Sequence, residues 1–249
     1  MEWRTQAVAT ACCQFRYKVQ WPPATADIPP LLPPMLSAIL WDNDGVLVDT
    51  ERFYFQANRD YLRRHGVELS EAQFLEWFLA DNCGAWHLLE AGGASAEQIA
   101  CWRGERNALH LELIHAASNL MTPGIDTLLA RLAGRVEMGI VTSATRASFD
   151  AIHARLDLLR HFRFALTAET YERSKPAPDP YLLGLEHLGR PADECLVIED
   201  SPRGLAAARA AGLRCIVLRS HLTHGHNFAG ADCVVDSVAE LGEAIEAFF

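Results

Sequence analysis

Ser37-Ala38-Ile39-Leu40-Trp41, followed at once by Asp42-Asn43-Asp44-Gly45-Val46-Leu47-Val48-Asp49-Thr50-Glu51, is an apolar run that breaks into two acids and a glycine. The run has the length of a buried strand, and Gly45 allows the backbone to leave it sharply. Asp42 is therefore expected at a strand end. On an extended chain residues i and i+2 project to the same side, so Asp42 and Asp44 can converge on one point while Asn43 faces elsewhere. Two carboxyl groups held close repel unless a cation, a proton or a hydrogen-bond donor separates them, and a metal ion is the first suspicion. Taken alone, acids followed by glycine describe a common turn equally well. The decision rests on what lies downstream.

Downstream of Thr122-Pro123-Gly124 the chain alternates between helical and strand patterns. A helix over Ile125 to Leu132 leads to the apolar strand Val136 to Val141. Thr142-Ser143-Ala144-Thr145-Arg146 follows, then a helix to about Leu158 and a short strand near Phe162 to Leu166. Ser174-Lys175-Pro176-Ala177-Pro178-Asp179-Pro180 opens the next helix, with prolines suited to a first turn. Cys195-Leu196-Val197-Ile198 reads as a strand ending in Glu199-Asp200, and Ser201-Pro202-Arg203-Gly204 starts another helix. Two further strands, Leu213 to Leu218 and Cys233 to Val235, precede a terminal helix over Val238 to Phe249. Short apolar strands separated by helices predict an α/β fold with a parallel sheet covered on both faces. Sites in such sheets form beyond the carboxyl ends of the strands.

Between Thr50 and about Leu120 the pattern is helical throughout, which predicts an all-helical insertion directly after the first strand. Its tryptophans, Trp77, Trp86 and Trp102, are expected to pack, and its histidines, at 65, 87, 110 and 115, to be solvated or hydrogen-bonded. Residues 1–34 lack periodicity and carry Pro22, Pro23, Pro29, Pro30, Pro33 and Pro34, as an extended or disordered leader would. Met35 is a candidate start of the catalytic part.

The whole chain has 249 residues and a formal charge of -10, so no basic excess is available for coating phosphates and a nucleic-acid partner is not expected. Seven cysteines without paired metal spacing read as reduced thiols, which suits a cytoplasmic protein. No apolar run approaches the roughly 18 residues of a membrane span. His221, His224 and His226 are irregularly spaced, with no acid or cysteine to complete a metal site, and read as a solvated loop.

The polar residues that follow the strands form a set: Asp42 and Asp44, Thr142 and Ser143, Lys175, Glu199 and Asp200. An acid-rich group with one hydroxyl and one lysine is what magnesium-assisted phosphoryl transfer requires, because hard oxygens hold the ion while donors cradle the phosphate. Singly, Thr142 fits a helix N-cap, Lys175 a solvated surface lysine, and Glu199 a cap for the helix at Ser201.

In these four segments the chain resembles the haloacid dehalogenase superfamily, in the branch with a helical cap between its first and second motifs. The segments are Asp42 to Glu51, Ile140-Val141-Thr142-Ser143, Ser174 to Asp179, and Ile198-Glu199-Asp200-Ser201. The resemblance implies a Rossmann-like core over residues 35–49 and 121–249 and a small cap domain over 50–120. It implies that Asp42 is a nucleophile forming an aspartyl-phosphate and that Asp44 protonates the leaving alkoxide and then activates water. It further implies magnesium held by Asp42, Asp44 through its backbone carbonyl, and Asp200, with Glu199 coordinating or assisting through water. Thr142, Ser143 and Lys175 are the implied phosphate-binding residues. Arg146 fits substrate contact and a helix start equally. The implied activity is hydrolysis of a small phosphorylated metabolite, a sugar or polyol phosphate. A β-phosphoglucomutase-like mutase is the alternative, although Tyr54 stands where those mutases carry a histidine. A phospho-aspartate receiver module would order its acids differently and lack the helical insertion. Oligomeric state is not legible from these residues.

Overall fold

The computed structural model describes residues 35–80 and 83–249 of the chain. The expected leader, Asp81 and Asn82 lie outside the described residues. Six strands, β1 (Ala38–Trp41), β2 (Glu137–Val141), β3 (Phe164–Leu166), β4 (Cys195–Glu199), β5 (Arg214–Leu218) and β6 (Cys233–Val235), form one sheet in the order β3-β2-β1-β4-β5-β6. All five pairings are parallel. The order runs outward in both directions from β1, so the chain switches sides of the sheet next to β1, where crevices form at strand ends. Trp41 pairs with Ile140 on one side and Ile198 on the other, which carries Asp42, Thr142 and Glu199 to the same edge of the sheet.

Alternating strand residues divide the core in two. Ile39, Trp41, Ile140, Ile198 and Ile216 face α5 (Ile125–Leu132), α6 (Arg146–His153) and α9 (Val238–Glu246). Leu40, Val141, Val197, Cys215 and Val217 face α7 (Asp179–Leu188) and α8 (Pro202–Ala210). The inner strands β1, β2, β4 and β5 are buried from both sides, and their nearly continuous apolar composition follows from that. The helix expected to reach Leu158 ends at His153, and the terminal helix ends at Glu246.

Among the described residues, the elements between β1 and α5 are all helical: α1 (Glu51–Arg63), α2 (Glu71–Phe74) running into a π-helical turn (Leu75–Ala80), α3 (Trp86–Ala91) and α4 (Ala96–Ala116). Tyr61, Leu62, Phe74, Phe78, Trp86 and Ile99 make a hydrophobic cluster of their own. Ser95 and Gln98 form a capping box that fixes the start of α4, while Ile114 near its other end packs into the core beside the sheet.

The hook after β1 is held by Asn43, which is fully buried. Its carbonyl accepts the N–H groups of Val46, Leu47 and Val48, at 3.3, 2.8 and 3.1 Å. Its side-chain oxygen accepts from Nε2 of buried His153 on α6 at 2.7 Å. Burial pulls His153 down to about 4 from its ordinary value. The imidazole is therefore neutral in the folded protein at neutral pH, whereas the unfolded chain takes up its proton near the ordinary histidine value. As pH falls from 8 to 5 the unfolded state gains a proton that the native state refuses, and this one group removes about 2 kcal/mol of stability. The His153→Gln variant should lose about that much less over the same range, measured by urea unfolding at the two pH values.

Candidate active site

Asp42 leaves β1 at the sheet's switch point, its N–H still bonded to the Ile198 carbonyl at 2.9 Å. Beneath it lies the ammonium of Lys175, 2% exposed, from the loop that precedes α7. The Nζ donates to Asp42 Oδ1 at 2.7 Å, Glu199 Oε1 at 2.7 Å and the Val141 carbonyl at 2.9 Å, which uses all three of its protons. Burial disfavours the charge, but the Asp42 and Glu199 carboxylates outweigh it and hold Lys175 above its ordinary value. Lys175 is not the solvated lysine that its type alone suggests.

Glu199 is fully buried and spoken for. Its Oε1 also accepts from the Tyr181 hydroxyl at 2.6 Å, and Oε2 accepts the N–H of Asp200 at 3.1 Å and the Ser201 hydroxyl at 3.1 Å. Burial pushes its carboxyl up, and the Lys175 charge with these donors brings it below the ordinary range. A Cβ on Gly204 would meet the Glu199 carboxylate at 1.9 Å, so only glycine admits it. The cap of α8 is Ser201 itself, which accepts from Gly204 N–H at 3.2 Å.

Asp44 accepts from three donors: Thr50 Oγ1 on its Oδ1, and Asn43 Nδ2 at 3.2 Å and Thr142 Oγ1 at 3.3 Å on its Oδ2. Thr50 stands at the N-cap position of α1 but makes no side-chain cap there, its hydroxyl being given to Asp44. Thr142, 1% exposed, accepts the Ala144 N–H at 3.0 Å, and the cap of α6 is Thr145 instead.

Burial, reinforced by Glu51, Asp42 and Glu199, pushes Asp200 well above the carboxylate range. Burial likewise raises Asp42, against the pull of Lys175, to about 7. Glu51, also raised mainly by burial, accepts from Ser220 Oγ at 2.8 Å. Several acids thus face one another around the Lys175 ammonium, with the Arg203 charge acting on Glu51. A divalent cation fits this set on three grounds. Oxygens of Asp42, Glu199 and Asp200 lie within 4.8 Å of one another, Oδ2 of Asp200 is buried without a hydrogen-bond partner, and all are hard donors. Gly45, at φ +81°, passes so close that a Cβ would meet Asp200 Oδ2 at 2.0 Å. Among the described residues this is the one such cluster, and His221, His224 and His226 do not form another.

A cavity of about 420 Å³ opens over these groups. Asp42, Asp44, Thr142, Ser143, Lys175 and Asp200 line it from the sheet, and Phe78, Trp86, Arg106 and His110 line it from the helical segment. The structure does not bring Arg146 to it. The Arg146 side chain pairs with Asp150 at 3.0 Å on the exposed side of α6, its N–H donates to Glu169, and Thr145 and Ser148 take the wall position. Cys83, Gly84 and Trp86 do line the cavity.

Sequence reasoning missed Tyr181, Thr50, Glu51 and the polar face of α4. The signal for the last was available, since Arg103, Arg106, Asn107 and His110 recur at helical spacing. His110 departs from the expectation of a solvated or hydrogen-bonded histidine, for it is 8% exposed and neither ring nitrogen has a partner among the described residues.

A switch-point cavity that joins a lysine-bound carboxylate, a neighbouring acid and an acidic cluster fit for a cation has the make-up of an enzyme active site. The comparisons agree. The description "haloacid dehalogenase-like hydrolase" matches residues 39–218, and the chain belongs to that family. It falls in the branch shared by phosphatases and β-phosphoglucomutase-like proteins. Protein CbbY of Rhodobacter capsulatus is 32% identical over 218 residues, 79% of this chain and 91% of that protein. Fructose-1-phosphate phosphatase YqaB of Escherichia coli (strain K12) is 28% identical over 188 residues, 74% of this chain and 96% of that one. The crystal structure of a CbbY mutant from Rhodobacter sphaeroides in complex with xylulose-(1,5)bisphosphate superposes with a TM-score of 0.71 at 27% identity, covering 84% of this chain and 97% of that chain.

Replacing Lys175 with Met removes the cation that bridges two buried carboxylates. Truncating one partner of such a pair costs about 3–5 kcal/mol, and urea unfolding of the Lys175→Met variant at pH 8 should show a loss of that order.

Proposed function

We propose that the chain is a magnesium-dependent phosphatase that hydrolyses a small sugar or polyol phosphate through an aspartyl-phosphate on Asp42. The observation that carries this reading is the fixed carboxylate of Asp42. One oxygen is bound by Lys175 at 2.7 Å, and the group sits beside the unpartnered Asp200 oxygen and under a cavity. In the first half-reaction an Asp42 oxygen attacks phosphorus, the ester P–O bond breaks, and Asp44 gives its proton to the departing oxygen. In the second, Asp44 takes a proton from water as the water oxygen attacks phosphorus, and cleavage of the P–O bond to Asp42 returns the free carboxylate with phosphate. Thr142 and Ser143 donate to phosphoryl oxygens, and Lys175 keeps the Asp42 carboxylate charged and oriented.

Asp42 and Asp200 would hold the magnesium, with Asp44 through its carbonyl and Glu199 nearby. Bound there, the ion supplies charge that offsets the phosphoryl oxygens in the transition state. The firm engagement of both Glu199 oxygens supports a supporting place for that residue rather than a direct bond.

The helical segment over 50–120 serves in this reading as a cap that selects the leaving group. Names of relatives support the substrate class: YqaB is called a fructose-1-phosphate phosphatase, and CbbY has been crystallised with a sugar bisphosphate. Free cysteines at 83, 101, 195, 215 and 233 fit a reducing, cytoplasmic setting, and no helix among the described residues is long and apolar enough to cross a membrane. Tyr54 on the cavity wall, in place of an ionisable histidine, favours hydrolysis over a mutase.

The Asp42→Asn variant should lose at least about a thousandfold in kcat for p-nitrophenyl phosphate hydrolysis, on the scale of removing a nucleophile. Chelation with EDTA should stop turnover in the wild type and added magnesium should restore it. Retention of a tenth or more of wild-type turnover by the variant, or indifference to chelation, rejects the mechanism. Conversion of a hexose 1-phosphate to the 6-phosphate without net phosphate release identifies a mutase instead.

A further inference from the structure

The wall of the cavity opposite the carboxylates is one face of α4. Arg103, Arg106, Asn107 and His110 are spaced at i, i+3, i+4 and i+7, and all four line the cavity. Arg106 is only 6% exposed. Its Nη1 donates to the Asn58 amide oxygen and its Nε to that of Asn107 at 3.1 Å. Its guanidinium lies 4.7 Å from the centre of the Tyr54 ring and 5.6 Å from that of Trp86, whose ring also carries Arg103 at 5.4 Å. Among the described residues, neither arginine pairs with a carboxylate.

That arrangement is costly as it stands. A buried cation whose partners are all neutral has lost hydration without gaining a counter-charge. Acids are not scarce, with 32 Asp and Glu against 22 Lys and Arg, and arginines elsewhere in the fold do pair with them, as Arg135 does with Glu246 and Arg219 with Asp236. His110, one turn along the same face, adds a buried imidazole whose Nε2 has no hydrogen-bond partner among the described residues, packed edge-on against Tyr54 at 5.3 Å. An imidazole in that state offers one donor and one acceptor. The transferred phosphoryl group belongs with Lys175 and Thr142 on the sheet side, so it leaves the α4 cations without a counter-charge among the described residues.

We propose that this face of α4 is a second anion subsite, and that the substrate carries a phosphate or carboxylate besides the phosphoryl group to be removed. Arg106 and Arg103 bind the second anion, while His110 and Asn107 hydrogen-bond hydroxyls of the chain between the two charged ends. A cavity of about 420 Å³ accommodates a small molecule of that kind. The proposal rests on the phosphatase reading and specifies its substrate class.

Steady-state kinetics on a hexose 6-phosphate, the same hexose 1,6-bisphosphate, phosphoglycolate and p-nitrophenyl phosphate tests it. The wild type should favour the doubly anionic substrates by tenfold or more in kcat/KM, and the better of the two identifies the second group as phosphate or carboxylate. In Arg106→Gln and in Arg103→Gln that preference should fall by tenfold or more, chiefly through KM, with Arg106→Lys retaining part of it. Arg106 is buried, so circular dichroism and thermal unfolding accompany its variants, and exposed Arg103 provides the independent reading if Arg106→Gln does not fold. A wild-type preference near one, or a preference unchanged within twofold in the folded variants, overturns the subsite. Failure of the wild type to hydrolyse p-nitrophenyl phosphate instead rejects the phosphatase reading. Calorimetric binding of the bisphosphate against the monophosphate, to wild type and Arg103→Gln, then decides the subsite on its own.

Discussion

A single ammonium group holds the site together. Lys175 Nζ ties Asp42 at the end of β1, Glu199 at the end of β4 and the backbone carbonyl of Val141 at the end of β2. Three adjacent strands therefore share one buried charge. Two carboxylates this deep repel each other and resist desolvation, and both penalties are offset only while the lysine stays protonated between them. The sheet order makes this possible, because β1 lies between β2 and β4 and its carboxyl end is the one place where all three chains turn outward together. Gly45 and Gly204 complete the arrangement by leaving room where a methyl group would strike Asp200 and Glu199.

The sheet was legible in the sequence because strands buried on both faces leave continuous apolar runs, and because each run ends in a short polar motif. Asp42, Asp44, Thr142, Glu199 and Asp200 follow the expected strands and Lys175 precedes an expected helix, and the structure gathers them at one cavity. What the sequence left open was resolved by long-range contacts. Thr142 and Thr145 are alike as cap candidates, and only the approach of Asp44 from β1 separates a site hydroxyl from a helix cap. Arg146 has Asp150 one turn along its own helix, a local pairing that turns it away from the cavity. Tyr181 was invisible because its hydroxyl meets Glu199 only after α7 packs on the sheet.

The helical segment was harder to read for a different reason. Its helices serve two environments, an apolar cluster of their own and a polar wall over the site. On α4 Leu109, Leu113 and Ile114 carry the apolar periodicity, whereas the stripe that lines the cavity is polar and begins earlier, at Arg103. A helix with apolar and charged residues around most of its circumference gives little net amphipathic signal, so periodicity alone does not separate a solvated face from one that lines a cavity.

Glu51 gives the first turn of α1 a place in the acid cluster. It is buried, faces Asp200, and is tethered to Ser220 beyond the end of β5. Its neighbour Thr50 gives its hydroxyl to Asp44. The side chains of both residues at the entrance to the helical segment are thus directed away from the helix they begin, Thr50 to Asp44 and Glu51 to Ser220. The side chains that begin α1 and the acids at the strand ends therefore belong to one hydrogen-bonded and electrostatic set, and the helical segment is rooted in the acid cluster itself.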